Sequence, residues 1–298
     1  MRYRDLVLGV MVMAVWGFNF IVIKIGVEQL DPLLLTALRF AAAALPAVFF
    51  VRRPPVAWRY IFAYGLVFGT GVWGMVTFSV SAGLSPGMAS LLLQMNVAIS
   101  MLIGWFWLNE QLSGQKLVGA ALAMCGLLLS LLIEDGTVTA TGLGLVLMGA
   151  ICWSLSGLIM KAARTDQVFS FIVWGLLFAP LPLLLLAYLQ QGATVFSPLM
   201  NGLNSNAIIS ILFQAWPTTL LGYWLWNRLI VAYPLSTVAP LTLLVPVFGL
   251  LSSWLVYQEP MGDLKITSAA LIIAGLVVGV LKIEVLLGWL KRYVQPSS

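Results

Sequence analysis

The chain has 298 residues, of which 61% are hydrophobic and only 8% are charged. A soluble domain of this size could not cover its surface with so few charges, so the composition indicates a membrane protein. The net charge of +5 comes from basic residues that stand singly or in pairs, which excludes a basic stripe for nucleic acid. Histidine is absent, and with it the commonest general base and metal ligand.

Ten apolar stretches follow one another along the chain, each long enough to cross a bilayer as a helix. β-Barrel strands would be shorter and would alternate in polarity, which these stretches do not. The sequence therefore predicts an all-α integral membrane protein with ten transmembrane helices. The predicted spans are 5–26, 33–51, 58–82, 86–108, 115–133, 142–161, 168–189, 207–231, 235–256 and 264–282.

The basic residues predict the orientation of these spans. If the loops alternate from a cytoplasmic N-terminus, the outer side or the membrane holds only Lys24, Arg39 and Lys265 of the 15 basic residues. Such an excess on one side follows the positive-inside rule and predicts that both termini are cytoplasmic. The predicted cytoplasmic residues are Arg2, Arg4, Arg52, Arg53, Arg59, Lys116, Lys161, Arg164, Arg228, Lys282, Lys291 and Arg292.

The two halves of the chain repeat each other. Trp16 and Lys24 in span 1 have counterparts in Trp153 and Lys161 in span 6, with the same spacing between tryptophan and lysine. The segment that begins Asn109-Glu-Gln-Leu aligns with Gln258-Glu-Pro-Met at a larger offset, and the surplus fits a longer loop at 190–205. Five spans per half is an odd number, so we expect the halves, 1–135 and 136–298, to be inserted with opposite topology, as in alternating-access transporters.

These motifs resemble the EamA branch of the drug/metabolite transporter superfamily over essentially the whole chain. The most telling pieces are Trp16-Gly-Phe-Asn-Phe, Leu38-Arg-Phe, Asn109-Glu-Gln-Leu and Ala239-Pro-Leu-Thr-Leu-Leu-Val-Pro. The longer segment Pro32-Leu-Leu-Leu-Thr-Ala-Leu-Arg-Phe and the last of these pieces together are similar to the subgroup that exports cysteine and O-acetylserine. Members often carry a proline in the middle of span 4, where this chain has Val97, so a proline kink is not carried over to that span.

The resemblance implies an exporter of amino acids or related metabolites in the plasma membrane, which in bacteria is the cell inner membrane. It also implies a central cavity lined by spans 1 to 4 and 6 to 9. No cofactor is indicated, and the expected partners are a small-molecule substrate and the lipid bilayer. The sequence leaves open whether the protein is a monomer or a homodimer.

Arg39 lies about seven residues inside span 2, where a charged side chain must face protein or water. It could bind a substrate carboxylate. Alternatively, it could extend outward along the helix or pair with Glu28 or Asp31 in the adjoining loop.

Aromatic and small polar residues supply the other candidate cavity residues. Trp16 and Asn19 lie on one side of span 1, and Trp153 and Ser156 repeat that arrangement in span 6. These residues could form cavity walls, or they could serve only to pack helices together. The remaining candidates for the cavity are Trp73, Gln94, Trp216 and Tyr223, and the candidate hinge or gating residues are Pro217, Pro240 and Pro246.

Glu110 and Glu259 stand at span ends next to turn residues, where a solvated carboxylate is expected. No acidic residue lies in the middle of a span, where a proton relay would need one, so we expect facilitated export or exchange.

The runner-up function is a nucleotide-sugar or other organic-anion carrier, although such substrates usually need more than one basic residue in the cavity. An intramembrane enzyme would need a catalytic dyad or a metal-ligand set, and no such motif is present, so we expect no catalytic and no metal site.

Overall fold

The computed structural model describes residues 1–108, 113–233 and 238–280, and within these ranges the chain is helical and contains no β-strand. We number ten helical segments in chain order. The first five are α1 Tyr3–Val27, α2 Pro32–Ala47, α3 Trp58–Ser81, α4 at 86–108 and α5 Gly114–Ser130. The second five are α6 Ala140–Ala163, α7 at 168–191, α8 Ser205–Ala232, α9 at 239–257 and α10 Asp263–Val280.

Six of these segments, α1, α3, α4, α6, α7 and α8, are long and apolar enough to cross a membrane. Three more, α2, α5 and the part of α9 at Leu241–Tyr257, are apolar but shorter. The chain is therefore a helical protein with several membrane-spanning candidates, and the full span count is taken up below. Glu110 and the end of the predicted tenth span, at 281–282, lie outside the described residues.

Two helices change type at related positions. α3 is π-helical over Gly65–Gly74 and α8 over Gln214–Leu221. The first residues of the two stretches are as far apart in the chain as Asn109 and Gln258, which begin the second pair of motifs, so the two stretches begin at equivalent positions of the proposed repeat. The stretch of α8 contains Pro217, which has no N–H to donate to an upstream carbonyl, whereas the stretch of α3 contains no proline. α4 contains a 3-10 turn at Leu93–Met95, and α9 begins with one at Ala239–Leu243. The fourth helix is therefore irregular without a proline at position 97.

α1 and α9 cross in backbone contact at Gly17 and Gly249. A Cβ atom on Gly17 would lie 2.7 Å from the carbonyl oxygen of Val245, and one on Gly249 would collide with the hydroxyl of Ser90 on α4. Only glycine lets the three helices approach so closely, because a methyl group at either position would force the backbones apart.

α6 and α4 cross at the residues that correspond to this pair in the repeat. Ser154 follows Trp153 as Gly17 follows Trp16, so the two are counterparts. Ser100 and Gly249 are counterparts as well, because they are as far apart as the first residues of the second pair of motifs. The Ser100 hydroxyl donates to the Ser154 hydroxyl at 2.9 Å, and Ser154 is also 2.9 Å from the carbonyl oxygen of Asn96. The same crossing is thus made by backbone contact in one place and through serine side chains in the other.

α5 and α10 also pack through glycine. A Cβ on Gly275 would lie 2.5 Å from the carbonyl oxygen of Gly119 on α5. The Gly275-Leu-Val-Val-Gly279 motif therefore packs within the chain and is not left free for a second copy.

A buried ion network joins several helix ends on the side that the charge count assigns to the outside. Lys265, which is 1% exposed, binds Glu259 and Asp135, each at 3.0 Å. Glu259 also accepts hydrogen bonds from Ser85, at the start of α4, and from Ser253 on α9. The carboxylate of Glu259 is therefore buried and paired, and the expectation that it would be solvated is wrong.

Asp135, the other carboxylate of the network, is partly exposed. Partial burial disfavours the charged form of Asp135, but hydrogen bonds from Thr137 and the ammonium of Lys265 outweigh it and lower the pKa of Asp135 below its usual value.

Replacing Gly249 should destabilise the bundle. We expect Gly249→Leu to lower the thermal midpoint of the purified protein, because overpacking of this kind costs about 1–3 kcal/mol. The measurement is the fraction that stays monodisperse in detergent after heating. Gly144→Leu is the control, because no neighbouring atom lies within 4 Å of a Cβ there. Equal losses in both variants would contradict the close crossing.

Removing the ammonium of Lys265 should destabilise the fold more than removing an exposed ammonium group. Lys265→Met leaves Glu259 buried without its counter-charge, which costs about 3–5 kcal/mol. Lys24→Met breaks only the exposed pair with Glu28 and should cost at most about 1 kcal/mol. Thermal unfolding in detergent compares them, and the double variant Glu259→Gln/Lys265→Met should recover part of the loss. If the two single variants melt alike, the network does not stabilise the fold.

Candidate functional site

A cavity opens in the middle of the bundle, between three helices of each half. The volume in which the centre of a water molecule can lie is about 60 Å³, so the cavity can hold several waters. α1, α3 and α4 contribute from the first half, and α6, α8 and α9 from the second. Its walls are Trp16, Phe20, Trp73, Ser90, Leu93, Gln94, Trp153, Thr218, Tyr223, Thr242 and Val245.

Five of the eleven wall residues are aromatic, and their rings pack against one another. The ring centroids of Trp16 and Tyr223 are 5.4 Å apart, and those of Trp73 and Trp153 are 5.9 Å apart. Trp16 is fixed by its indole N–H, which donates to the carbonyl oxygen of Thr218 in the π-helical stretch of α8 at 3.0 Å. Gly222 leaves the space for that indole, since a Cβ there would lie 2.5 Å from its nitrogen.

The polar groups of the wall are neutral. Gln94 on α4 donates to the carbonyl oxygen of Thr242 on α9 at 3.1 Å. Thr218 donates to the side-chain oxygen of Asn19, which is fully buried behind it, at 3.0 Å. None of the wall residues is acidic or basic, so formal charge reaches the cavity only from behind the wall.

That charge is Arg39. Its side chain is 0% exposed, and its guanidinium donates to Gln214 at 3.3 Å and to Thr219 at 3.2 Å, both in the π-helical stretch of α8. The guanidinium carbon lies 4.2 Å from the ring centroid of Trp73. Its Nε atom is buried and has no hydrogen-bond partner among the described residues.

Neither alternative reading of Arg39 holds, because the nearby acids are engaged elsewhere. Asp31 caps the start of α2 by accepting hydrogen bonds from the backbone N–H groups of Leu33 and Leu34. Glu28 pairs with Lys24 at 3.6 Å. Arg39 therefore points into the bundle, and the ion pairs of the described part of the chain do not include it.

A charge buried among neutral groups is costly in a membrane protein. Gln214 and Thr219 each supply a dipole, and the face of Trp73 supplies a cation–π contact, but none of them cancels the charge. Gln214 is itself oriented by its hydrogen bond to Ser210, whose hydroxyl donates to the carbonyl oxygen of Val22 on α1. This arrangement fixes a positive charge next to the cavity, and no described residue supplies it with a counter-ion.

The structure brings five of the candidate cavity residues together in the wall: Trp16, Trp73, Gln94, Trp153 and Tyr223. Two more, Asn19 and Arg39, stand directly behind it. It does not bring Ser156 or Trp216 there, because Ser156 bonds its own helix at the carbonyl of Trp153 and Trp216 is 50% exposed with its N–H on the carbonyl of Ala42. α2 and α7 supply no wall residue.

The three candidate hinge prolines lie where helices change type. Pro217 is inside the π-helical stretch of α8. Pro246 is buried in the helical part of α9 that follows its 3-10 turn. Pro240 is in that turn, and its side chain lies outside the described residues.

The sequence alone did not single out Phe20, Thr218, Thr219, Thr242 or Gln214 as residues of the site. The only signal was Pro217 between Gln214 and the two threonines, since a proline inside a span marks released backbone groups. No group of three or more histidine, cysteine, aspartate or glutamate side chains placed to hold a metal occurs in the residues the structure describes. The prediction that the protein uses no metal and no cofactor stays a prediction.

Comparison with known proteins matches the chain to one family, twice. The profile of the EamA-like transporter family covers residues 5–132 and again 140–281. A "probable amino-acid metabolite efflux pump" of Salmonella typhimurium is 36% identical over 94% of this chain and 96% of its own length. Its namesake in Escherichia coli is 34% identical over the same shares of each chain.

More distant likenesses agree on the fold. An uncharacterized transporter of Bacillus subtilis, YoaV, is 24% identical over 88% of this chain and 91% of its own. A solved structure, described only as the crystal structure of a protein, superposes over the full length of both chains with a TM-score of 0.61 at 17% identity. The chain is a multi-pass membrane protein, and it belongs to the EamA-like family of drug/metabolite transporters, which are transporters and not enzymes.

Proposed function

We propose that the protein exports amino acids or related small metabolites across the plasma membrane by alternating access through the central cavity. The two relatives above carry the name of amino-acid metabolite efflux pumps at more than one-third identity over nearly the full chain. The observation that carries the proposal is a cavity rich in aromatic residues, built by both halves and backed by Arg39, a buried cation that forms no ion pair within the described part of the chain.

The two halves, 1–135 and 136–298, form an inverted repeat in this proposal. The double family match, the π-helical stretches at equivalent positions and the related crossings at Gly17 and Ser154 all support it. Inverted repeats place a substrate near the midplane, between the halves.

Opening to the outside requires the helix ends around Glu259 to part. α4 and α9 come from different halves, and both contribute to the ion network through Ser85 and Ser253. The network holds this end of the bundle closed, and its hydrogen bonds must separate in the half-cycle that releases the substrate.

Ten spans with both termini in the cytoplasm complete the proposal. The ten helical segments and the excess of basic residues on one side support this topology. In bacteria the compartment boundary would be the cell inner membrane.

Tagging both ends tests this topology. A reporter that is active only in the cytoplasm should work when fused to either terminus, because an even number of spans returns the chain to its starting side. Fusion after Gln191, in the loop between α7 and α8, is the control and should be inactive. Termini on opposite sides of the membrane would rule out the ten-span arrangement.

The charges of the site favour a zwitterionic substrate. Arg39 attracts a carboxylate, whereas the faces of Trp16, Trp153 and Tyr223 can receive an ammonium group. The single cation suits a free amino acid better than a nucleotide sugar or a sugar phosphate, which carries more negative charge. The lack of an acidic wall residue supports facilitated export or exchange over transport coupled to a proton.

Efflux from cells that overproduce the protein tests the function. The screen should cover cysteine, O-acetylserine, threonine and the aromatic amino acids, and at least one should leave the cells faster than from cells without the protein. Arg39→Ala should lower that efflux at least roughly tenfold, because it removes the positive charge behind the cavity wall that attracts the carboxylate. Arg39→Lys should be intermediate, because a lysine keeps the charge and loses the fork that holds Gln214 and Thr219.

Arg59→Ala is the control, since Arg59 lies beside Tyr60 near the start of α3, away from the cavity. If Arg39→Ala, at normal abundance in the membrane, exports as fast as the wild type, Arg39 has no part in transport.

A further inference from the structure

Among the residues the structure describes, none accepts a hydrogen bond in good geometry from the buried indole N–H of Trp73. Its side chain is 5% exposed and lines the cavity, yet its indole nitrogen has no hydrogen-bond partner. The Tyr223 hydroxyl is close to it but outside hydrogen-bond geometry. A buried donor without an acceptor is destabilising and rare in native proteins, so each one calls for an explanation.

Other tryptophans of the bundle satisfy this group within the protein. The indole N–H of Trp16 donates to the carbonyl oxygen of Thr218, that of Trp174 to Val51 and that of Trp216 to Ala42. The unpaired donor of Trp73 is therefore not a general property of tryptophan in this fold. It occurs at the place where the cavity wall touches Arg39.

Trp73 connects the cavity to that positive charge. The guanidinium of Arg39 lies 4.2 Å from the ring centroid of Trp73 but is not itself part of the cavity wall. A cation on the face of an indole withdraws electron density from the ring and makes its N–H a stronger donor. An anionic acceptor in the cavity would satisfy this N–H and at the same time lie within the field of the buried cation.

We propose that Trp73 donates its indole N–H to the carboxylate of the substrate, and that Arg39 acts through Trp73 as a positioning residue. The inference rests on the proposed function, because it takes the central cavity as the binding site. It defines the substrate class as compounds with a free carboxylate next to an ammonium group. The corresponding amides, which keep the ammonium group and lose the negative charge, should be rejected.

The test uses purified protein in proteoliposomes and an amino acid identified in the efflux screen. Inhibition of its transport by the unlabelled amino acid and by its amide gives a preference ratio for the carboxylate. Trp73→Phe keeps the ring beside Arg39 and removes only the N–H. We expect this variant to raise KM and to lower the preference ratio roughly tenfold, with little change in the maximal rate.

Two further variants separate this role from a structural one. Trp174→Phe also loses a bonded indole N–H, but outside the cavity, and should leave the ratio unchanged. Arg39→Gln keeps Trp73 and removes the charge behind it, so it should lower the ratio as well. If Trp73→Phe does not reach the membrane, the preference ratio of Arg39→Gln is the deciding measurement.

The outcomes are distinguishable. If the wild type transports amino acids and Trp73→Phe affects the amino acid and its amide equally, the carboxylate role is overturned and the exporter remains. If both the Trp73 and the Arg39 variants keep the wild-type ratio, the substrate does not use this pair at all. If the wild type transports neither compound, the proposed function fails, and the role of Trp73 fails with it.

Discussion

A positive charge buried among neutral groups is the constraint around which the centre of this bundle is arranged. Arg39 has no carboxylate within ion-pair distance among the described residues. Its guanidinium is held by the side chains of Gln214 and Thr219 and by the face of Trp73. Each of these contacts lowers the cost of burial without neutralising the charge. In the proposed exporter, this uncancelled charge attracts the carboxylate of the substrate.

The π-helical stretch of α8 makes that arrangement possible. Widening the helix between Gln214 and Leu221 releases backbone carbonyls, one of which holds Trp16, and it presents two side chains to Arg39. The same stretch bonds α1 through Asn19 and Thr218. One irregular turn thus connects α1, α2 and the cavity, and a regular α-helix would have kept those carbonyls for itself.

The two halves carry different side chains at related positions. Leu176, the counterpart of Arg39 in the second half, is buried and apolar, so the charge belongs to the first half alone. Gly17 and Gly249 make one helix crossing by backbone contact, whereas Ser154 and Ser100 make its counterpart through hydroxyl groups.

The sequence by itself determined the membrane class and the approximate positions of the helices, and the resemblance of its motifs identified the family. Composition and the length of apolar runs decide the membrane class and the helix positions locally, because lipid leaves the backbone no partner other than its own helix. It also named five of the eleven wall residues, since tryptophan and polar residues inside a span have few other uses.

Only the tertiary structure decided what these residues contact. It directed Arg39 away from Asp31 and onto α8, placed Trp216 outside the cavity, and buried Glu259 against Lys265. Partners such as Arg39 and Gln214 are 175 residues apart in the chain. The periodicity of a single helix cannot specify such a pair, because the contact depends on how helices from both halves pack and on where each helix departs from regular geometry.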